Sequence, residues 1–221
     1  ELLAQYKGGV MNFKLGDTQL ILAACKKYNL TVFETAYVLA TAYHETAHTM
    51  KPIMEMGGEK YLKSKKYWPY VGRGYVQLTW KENYVKAGKK LGVDFVSNPG
   101  LLMKAEYAAP ILVLGMKEGW FTGKKLNSYI DSIDEGNVED MREFTESRRI
   151  VNGKDKAKLI AGYAMVYYNE FVEAPVKPVE TPKDYPVPVQ PPVVKPSVQA
   201  PKVGFWAKLF EFLGKLFKRS K

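Results

Sequence analysis

A single cysteine, Cys25, and two histidines, His44 and His48, are all this 221-residue chain offers of the side chains that most readily form disulfides or hold soft metals. One cysteine cannot make an intramolecular disulfide, so the fold does not require an oxidising compartment. Cys25 stands between Ala24 and Lys26 in a helical pattern and reads as a small buried apolar side chain. No run of 18 apolar residues occurs, which excludes a membrane-spanning helix on length. The opening stretch, ELLAQYKGGVMNFKLGD, lacks a long apolar segment, so no secretory signal is expected. Acidic residues are short as well, 23 against 33 basic, which leaves a net charge of +10. That excess favours anionic partners such as membrane surfaces or cell-wall polymers. The basic residues are spread along the chain without a recognised motif, which argues against nucleic acid as a partner.

Proline is concentrated in one place. Residues 175–201 hold nine of the 13 prolines, in a stretch that can form neither a helix nor an inner strand. The chain therefore divides into a globular domain over 1–172, an extended proline-rich linker over 173–202, and a separate element over 203–221. That last element, VGFWAKLFEFLGKLFKRSK, carries five basic residues and one acid, a net of +4. At 100° per residue, Phe205, Trp206, Leu209, Phe210, Phe212, Leu213, Leu216 and Phe217 are expected to gather on one side of a helix, and Lys208, Glu211, Lys215, Lys218 and Arg219 on the other. Thirteen helical residues from Phe205 to Phe217 rise only about 20 Å. That is short of the ~30 Å hydrocarbon core, so the spacing predicts a helix lying on an anionic membrane or on lipopolysaccharide. Packing back on the domain is the bland alternative, which the extended linker disfavours.

The globular part reads as mostly helical. Asp17 is placed to cap a first helix, and Thr31 with Glu34 forms a capping box that opens a second through TVFETAYVLATAYHETAH, ended by Pro52. Later helices are expected over KENYVKAGKKL up to Gly92, AEYAAPILVLGMKEGWF, NVEDMREFTESRRIV and DKAKLIAGYAMVYYNEF. Between them, YWPYVGRGYVQLTW alternates like a strand. Tyr75, Gln77 and Thr79 would face a cleft, with Val76, Leu78 and Trp80 behind them.

The chemistry concentrates in AYHETAHTM. His44-Glu45-x-x-His48 fits the pattern in which two histidines one helical turn apart hold zinc and the glutamate activates water. A catalytic zinc needs a third protein ligand. The chain has no third histidine, and Glu55 and Glu59 lie past Pro52 in MEMGGEK, a poor helix, so the zinc reading stays only as an alternative.

YHETAHTMKPIME followed by GRGYVQLTWKENY resembles glycoside hydrolase family 19, which contains chitinases and a phage-associated branch of endolysins. The resemblance rests on a helix-borne His-Glu-Thr, a Gly-Arg-Gly-x-x-Gln-Leu-Thr segment ending in Asn-Tyr, and the later ESRRIVNG. It covers most of residues 16–170 and implies a mainly α, lysozyme-like α+β fold of two lobes, with a small β segment lining a cleft. It also implies an inverting mechanism, with one carboxylic acid protonating the leaving oxygen and a second carboxylate activating water on the opposite sugar face. By motif match Glu45 is the acid, Glu55 the base with Glu59 as fallback, and Thr79 the holder of the water. Gln77, Asn83, His44, Tyr75 and Asn152 would contact sugar. Arg73 would bind an acid or brace the cleft, Gly72 and Gly74 would admit close backbone approach or positive φ, and Tyr67, Trp68 and Tyr70 would stack on sugar or fill core. No metal or other cofactor is required.

The short segment between Glu45 and Gly72 and the lack of disulfides depart from plant chitinases. The implied protein is a monomeric, phage-encoded endolysin made in the host cytoplasm. It would act on peptidoglycan strands in the periplasm or from outside, with a chitinase of the same fold as the alternative.

Overall fold

The structure, a computed structural model, describes residues 11–173. The proline-rich linker, the C-terminal helix and residues 1–10 lie outside the described residues, except that Glu173 closes the last helix.

The described chain is mainly helical. Helices α1 (Thr18–Lys27) and α2 (Val32–Glu45) lead into strand β1 (Ile53–Met54), the short α3 (Gly58–Lys63) and strand β2 (Arg73–Gly74). Then come α4 (Lys81–Leu91), α5 (Ala105–Glu118), α6 (Asn137–Glu146) and α7 (Ala157–Glu173), with single 3₁₀ turns at Pro99–Met103, Leu126–Ser128 and Ser147–Ile150. The strands pair antiparallel, Ile53 opposite Gly74 and Met54 opposite Arg73.

Apolar side chains gather in two clusters. The larger is built on α2, which packs along α7 and buries Ala36, Tyr37, Val38, Leu39 and Ala40; α1 joins it through Ile21, Ala24 and Cys25. Burial pushes the Cys25 thiol up to about 12, the behaviour of an inert core side chain. The smaller cluster collects Leu78, Tyr84, Ala87, Leu91, Phe95 and Leu102 around α4, and Tyr28 and Phe121 touch both. Helix α5 lies between the two clusters, giving Ala109, Leu112 and Val113 to the larger and Ile111 and Leu114 to the smaller.

Several local expectations hold for the stated reasons. Thr31 accepts the Glu34 amide at 3.2 Å while the Glu34 carboxylate accepts the Thr31 amide at 2.9 Å, so the capping box opens α2. Left-handed Gly92 closes α4 as expected, whereas left-handed Gly119 ends α5 at Glu118, short of the expected Trp120 and Phe121. Others need correction. The Asp17 side chain does not cap α1; its carboxylate accepts the Tyr75 hydroxyl at 2.9 Å instead. MEMGGEK is not devoid of helix, since Gly58 to Lys63 make one short turn-and-a-half.

The second helix does not run on to Pro52 but ends at Glu45. Thr46, fully buried, donates its hydroxyl to the Ala42 carbonyl and accepts the Met50 amide, folding the chain back through left-handed Ala47, His48 and Met50. Gly16 sits against this turn so closely that a Cβ there would lie 2.3 Å from the Thr49 carbonyl oxygen.

The long strand is also absent. Arg73 and Leu78 exchange backbone bonds, so the chain reverses within six residues. The alternation therefore breaks: Tyr75 is 1% exposed and Trp80 is 49% exposed. Thr31→Ala should lower stability by about 1 kcal/mol through the lost N-cap, seen as a reduced midpoint in thermal unfolding.

Candidate active site

Glu45 is the last helical residue of α2, and its position at the helix end aims the carboxylate out of the larger core. Its Oε1 receives Arg148 Nη1 at 2.6 Å, and the Arg148 side chain is only 3% exposed. Arg148 comes from the 3₁₀ turn after α6 and also donates Nε to the Asp155 carbonyl at 2.9 Å. A buried guanidinium thus holds the carboxylate from one side. His44, half-buried beside it, is shifted below the ordinary histidine range, chiefly by burial, with the Glu45 carboxylate opposing and Arg148 adding. Asn152 is exposed one turn beyond Arg148, its side-chain oxygen accepting the Gly153 amide at 3.0 Å.

Glu55 follows β1 directly. Its amide donates to the Gly72 carbonyl at 2.7 Å, and its carboxylate accepts the Tyr67 hydroxyl at 2.7 Å and the Gly72 amide at 3.1 Å. Around it the Gly-Arg-Gly turn is closed by its own side chains. Gln77, left-handed, donates Nε2 to the Ile53 carbonyl at 3.0 Å, and its Oε1 lies where a Gly72 Cβ would meet it at 2.7 Å. Gly72 is therefore needed to make room for Gln77, while Gly74 supplies positive φ. Arg73, 8% exposed, donates Nη1 to the Pro69 carbonyl and to the Tyr84 hydroxyl, so of its two expected roles it takes the brace. Thr79 donates to the Gln77 carbonyl at 2.8 Å, and Asn83 donates Nδ2 to the Thr79 carbonyl at 2.8 Å. Trp80 and Trp68 are exposed beside Tyr67, which packs edge-on against Trp80 at 5.1 Å.

The expected site residues thus fall into two groups. Glu45, His44 and Asn152 gather at Arg148 on the larger core. Glu55, Arg73, Gln77, Thr79 and Asn83 form one hydrogen-bonded unit resting on the smaller core through Leu78 and Tyr84. Tyr75 joins neither: its ring is in the larger core and its hydroxyl is spent on Asp17, which corrects the sugar-contact expectation. Glu59 is exposed and paired with Lys63 at 2.6 Å on α3, and that lysine holds its carboxyl below the usual range. The fallback base is therefore a solvated surface acid. His48 lies past the helix end, left-handed and stacked on Tyr43 at 4.4 Å, so His44 and His48 do not share a helical face as the zinc pattern demands.

Sequence reasoning missed Arg148, the Tyr67 bond and the exposure of Trp80. The signal for Arg148 was present in ESRRIVNG, where a carboxylate at the end of an apolar helix required a cation and two adjacent arginines were on offer.

The two candidate carboxylates are thus held differently, Glu55 by hydrogen bonds at the hairpin and Glu45 by the Arg148 guanidinium. Residues 31–116 match the family profile of glycoside hydrolase family 19, described as chitinase class I. Chitinase 4 of Oryza sativa subsp. japonica is 41% identical over 75 residues, covering 30% of this chain and 26% of that protein. The acidic endochitinase of Dioscorea japonica is 29% identical over 129 residues, 54% of this chain and 46% of that protein. The chain thus spans less than half the length of either relative. Chitinase C from Streptomyces griseus superposes with a TM-score of 0.48 at 22% identity, over 78% of this chain and 74% of that one.

The Tyr67 hydroxyl is pushed up to about 12, chiefly by donating to the Glu55 carboxylate. Glu55→Gln should return it toward the ordinary tyrosine value near 10. NMR titration of ring-labelled tyrosine reads this directly, and an unmoved Tyr67 resonance would mean the bond does not persist in solution.

Proposed function

We propose that the described domain is the catalytic part of an endolysin that hydrolyses β-1,4 glycosidic bonds of peptidoglycan with inversion. Glu45 is the general acid and Glu55 the general base. The observation that carries this reading is the division of labour between the two carboxylates. Glu45 has one oxygen clamped by Arg148, and Glu55 has both oxygens oriented by Tyr67 and the Gly72 amide. Each oxygen of a carboxylate has a second lone pair, so Glu55 can still accept a proton from water. The Thr79 hydroxyl already gives its proton to the Gln77 carbonyl, so toward a water it can only accept. A water donating one hydrogen to Glu55 and one to Thr79 keeps a lone pair free to attack the anomeric carbon. Glu45, protonated for this step on the oxygen that Arg148 does not hold, gives that proton to the leaving oxygen. The Asn83 oxygen and the exposed Asn152 would meet sugar hydroxyl or acetamido groups, and the exposed Trp68 and Trp80 faces suit the apolar side of a pyranose ring.

The cationic element at 203–221 would carry the enzyme to anionic membrane or lipopolysaccharide, so that a monomer reaches the wall from the periplasm or from outside. A second reading, a chitinase of the same fold, is favoured by the family profile and by the names of the relatives. Digests of purified peptidoglycan and of chitin, with products identified by mass, separate the two. Muropeptides with new reducing ends support the endolysin, cleavage of chitin alone supports the chitinase, and released peptides would overturn both.

Glu45→Gln keeps an oxygen for Arg148 but has no proton to give, and should lose roughly 10²–10⁴-fold in turnover without unfolding. Glu55→Gln should be similarly impaired and Glu59→Gln nearly normal, as measured by release of reducing ends. The reverse ranking would make Glu59 the base. A protein ending at Glu173 should hydrolyse isolated peptidoglycan at the full rate yet lose binding to anionic liposomes and killing of intact cells. Undiminished killing would remove the membrane role.

A further inference from the structure

Chitin is an uncharged polymer, whereas peptidoglycan carries peptide stems with free carboxylates. An enzyme for the second has reason to place positive charge along the path of the stems, and one for the first has none. The segment that supplies the acid's counter-ion does carry such charge. A cavity of about 470 Å³ opens where the end of α6 meets the start of α7, lined by Arg149, Lys154, Lys156, Lys158, Glu146 and Leu159, with Thr145 and Ala157 completing it.

Arg149 is paired with Glu146, so these two charges cancel. The three lysines are exposed and, among the described residues, form no ion pair. Three cations around one concave surface repel one another, and an anion relieves that repulsion. Lys156 is held left-handed at φ 56°, a conformation that costs a lysine free energy and persists only where the surroundings impose it.

The cavity is tied to the chemistry by two short links. The Asp155 carbonyl, between Lys154 and Lys156, accepts Nε of Arg148, whose Nη1 holds Glu45. Arg149 is the neighbour of Arg148 in the same 3₁₀ turn, and Asn152 and Gly153, the expected sugar contact, run directly into Lys154. A glycan strand bound at Glu45 and running along the Arg148–Asp155 side would bring a stem to this lysine-lined hollow.

Three other features were weaker. The groove between α4 and Trp120 has its Lys90 already neutralised by Glu118. The acidic group Asp131, Glu135 and Glu143 has nothing beyond its own charges to indicate a ligand. The His48 stack on Tyr43 and Tyr163 faces no reacting group.

We propose that the cavity lined by Lys154, Lys156 and Lys158 is a subsite for the carboxylates of peptidoglycan stem peptides, and that it makes the enzyme prefer stem-bearing glycan to neutral glycan. This rests on the glycosidase assignment made above. The lysines act through charge and position and do not touch the scissile bond.

The test compares wild type with the triple variant Lys154→Gln, Lys156→Asn, Lys158→Gln, in the full chain. Asparagine is chosen at 156 because it tolerates the left-handed conformation. Lys158→Gln alone, on an exposed helical position, serves as the variant least exposed to misfolding. Substrates are intact sacculi, the same sacculi stripped of stems by an amidase, and glycol chitin. Three exposed charges acting together predict a roughly tenfold fall in kcat/KM on sacculi for the triple variant, and a smaller fall for the single one. The fall should be smaller on stripped glycan, which keeps only the lactyl carboxylate of each muramic acid, and absent on uncharged glycol chitin, and the salt dependence expected of wild type on sacculi should flatten. Equal losses on stripped and intact substrate, or no loss on either, would overturn the subsite. Wild type that cuts glycol chitin but neither form of sacculus would instead overturn the peptidoglycan assignment, a different failure.

Discussion

The ion pair between Arg148 and Glu45 is the contact on which the rest of this site depends. Arg148 is almost wholly withdrawn from water, and leaving a buried charge without its partner costs about 3–5 kcal/mol. Its place is fixed from two directions, by Glu45 at the end of α2 and by the Asp155 carbonyl ahead of α7. Those helices pack along each other through the larger core, so the pair sits where the strongest packing in the domain can hold it. The helix has to stop at Glu45 for this to work. Thr46 stops it by bonding back to Ala42 and forward to the Met50 amide, and Gly16 leaves room for the turn that follows. The His-Glu-Thr motif is thus a helix end with a carboxylate on it, and its threonine is as structural as its glutamate is chemical.

The second carboxylate is held by different means. Glu55 rests in a two-residue ladder and a tight reversal, with little apolar packing of its own. Its orientation comes from polar bonds to Tyr67 and Gly72, and the reversal is braced underneath by Arg73 reaching Tyr84 in the smaller core. The proposed inverting reaction would use both kinds of support, an acid held by a guanidinium and a base held by a tyrosine hydroxyl and a backbone amide.

Helices were legible in the sequence where a cap or a left-handed glycine was read at their ends, as at Thr31 and Gly92, and overrun where Gly119 was passed over. They were misjudged where side-chain bonds at a distance decided the outcome. Nothing local in TAYHETAH announces that Thr46 will close α2, and Asp17 looked like a cap because Tyr75, 58 positions away, could not be seen to claim it. The strand pattern at 75–80 was real as a pattern but false as a strand. Left-handed Gln77 and Trp80 break the alternation, and both conformations are imposed by a closed turn and not by residue preference. Of the candidate site residues, the two motif glutamates were singled out through the family resemblance. Arg148 was not found, because a counter-ion 103 residues distant leaves no periodic trace.

The central claim is that Glu45 and Glu55 act as an inverting acid–base pair, and its most direct measurement is the anomeric form of the first product. Proton NMR of a β-1,4-linked glycan oligomer during the opening minutes of hydrolysis, before mutarotation, should show the new reducing end appearing as the α-anomer. A new reducing end that appears first as the β-anomer would contradict the account, since it would require a covalent or neighbouring-group intermediate in place of water activated by Glu55.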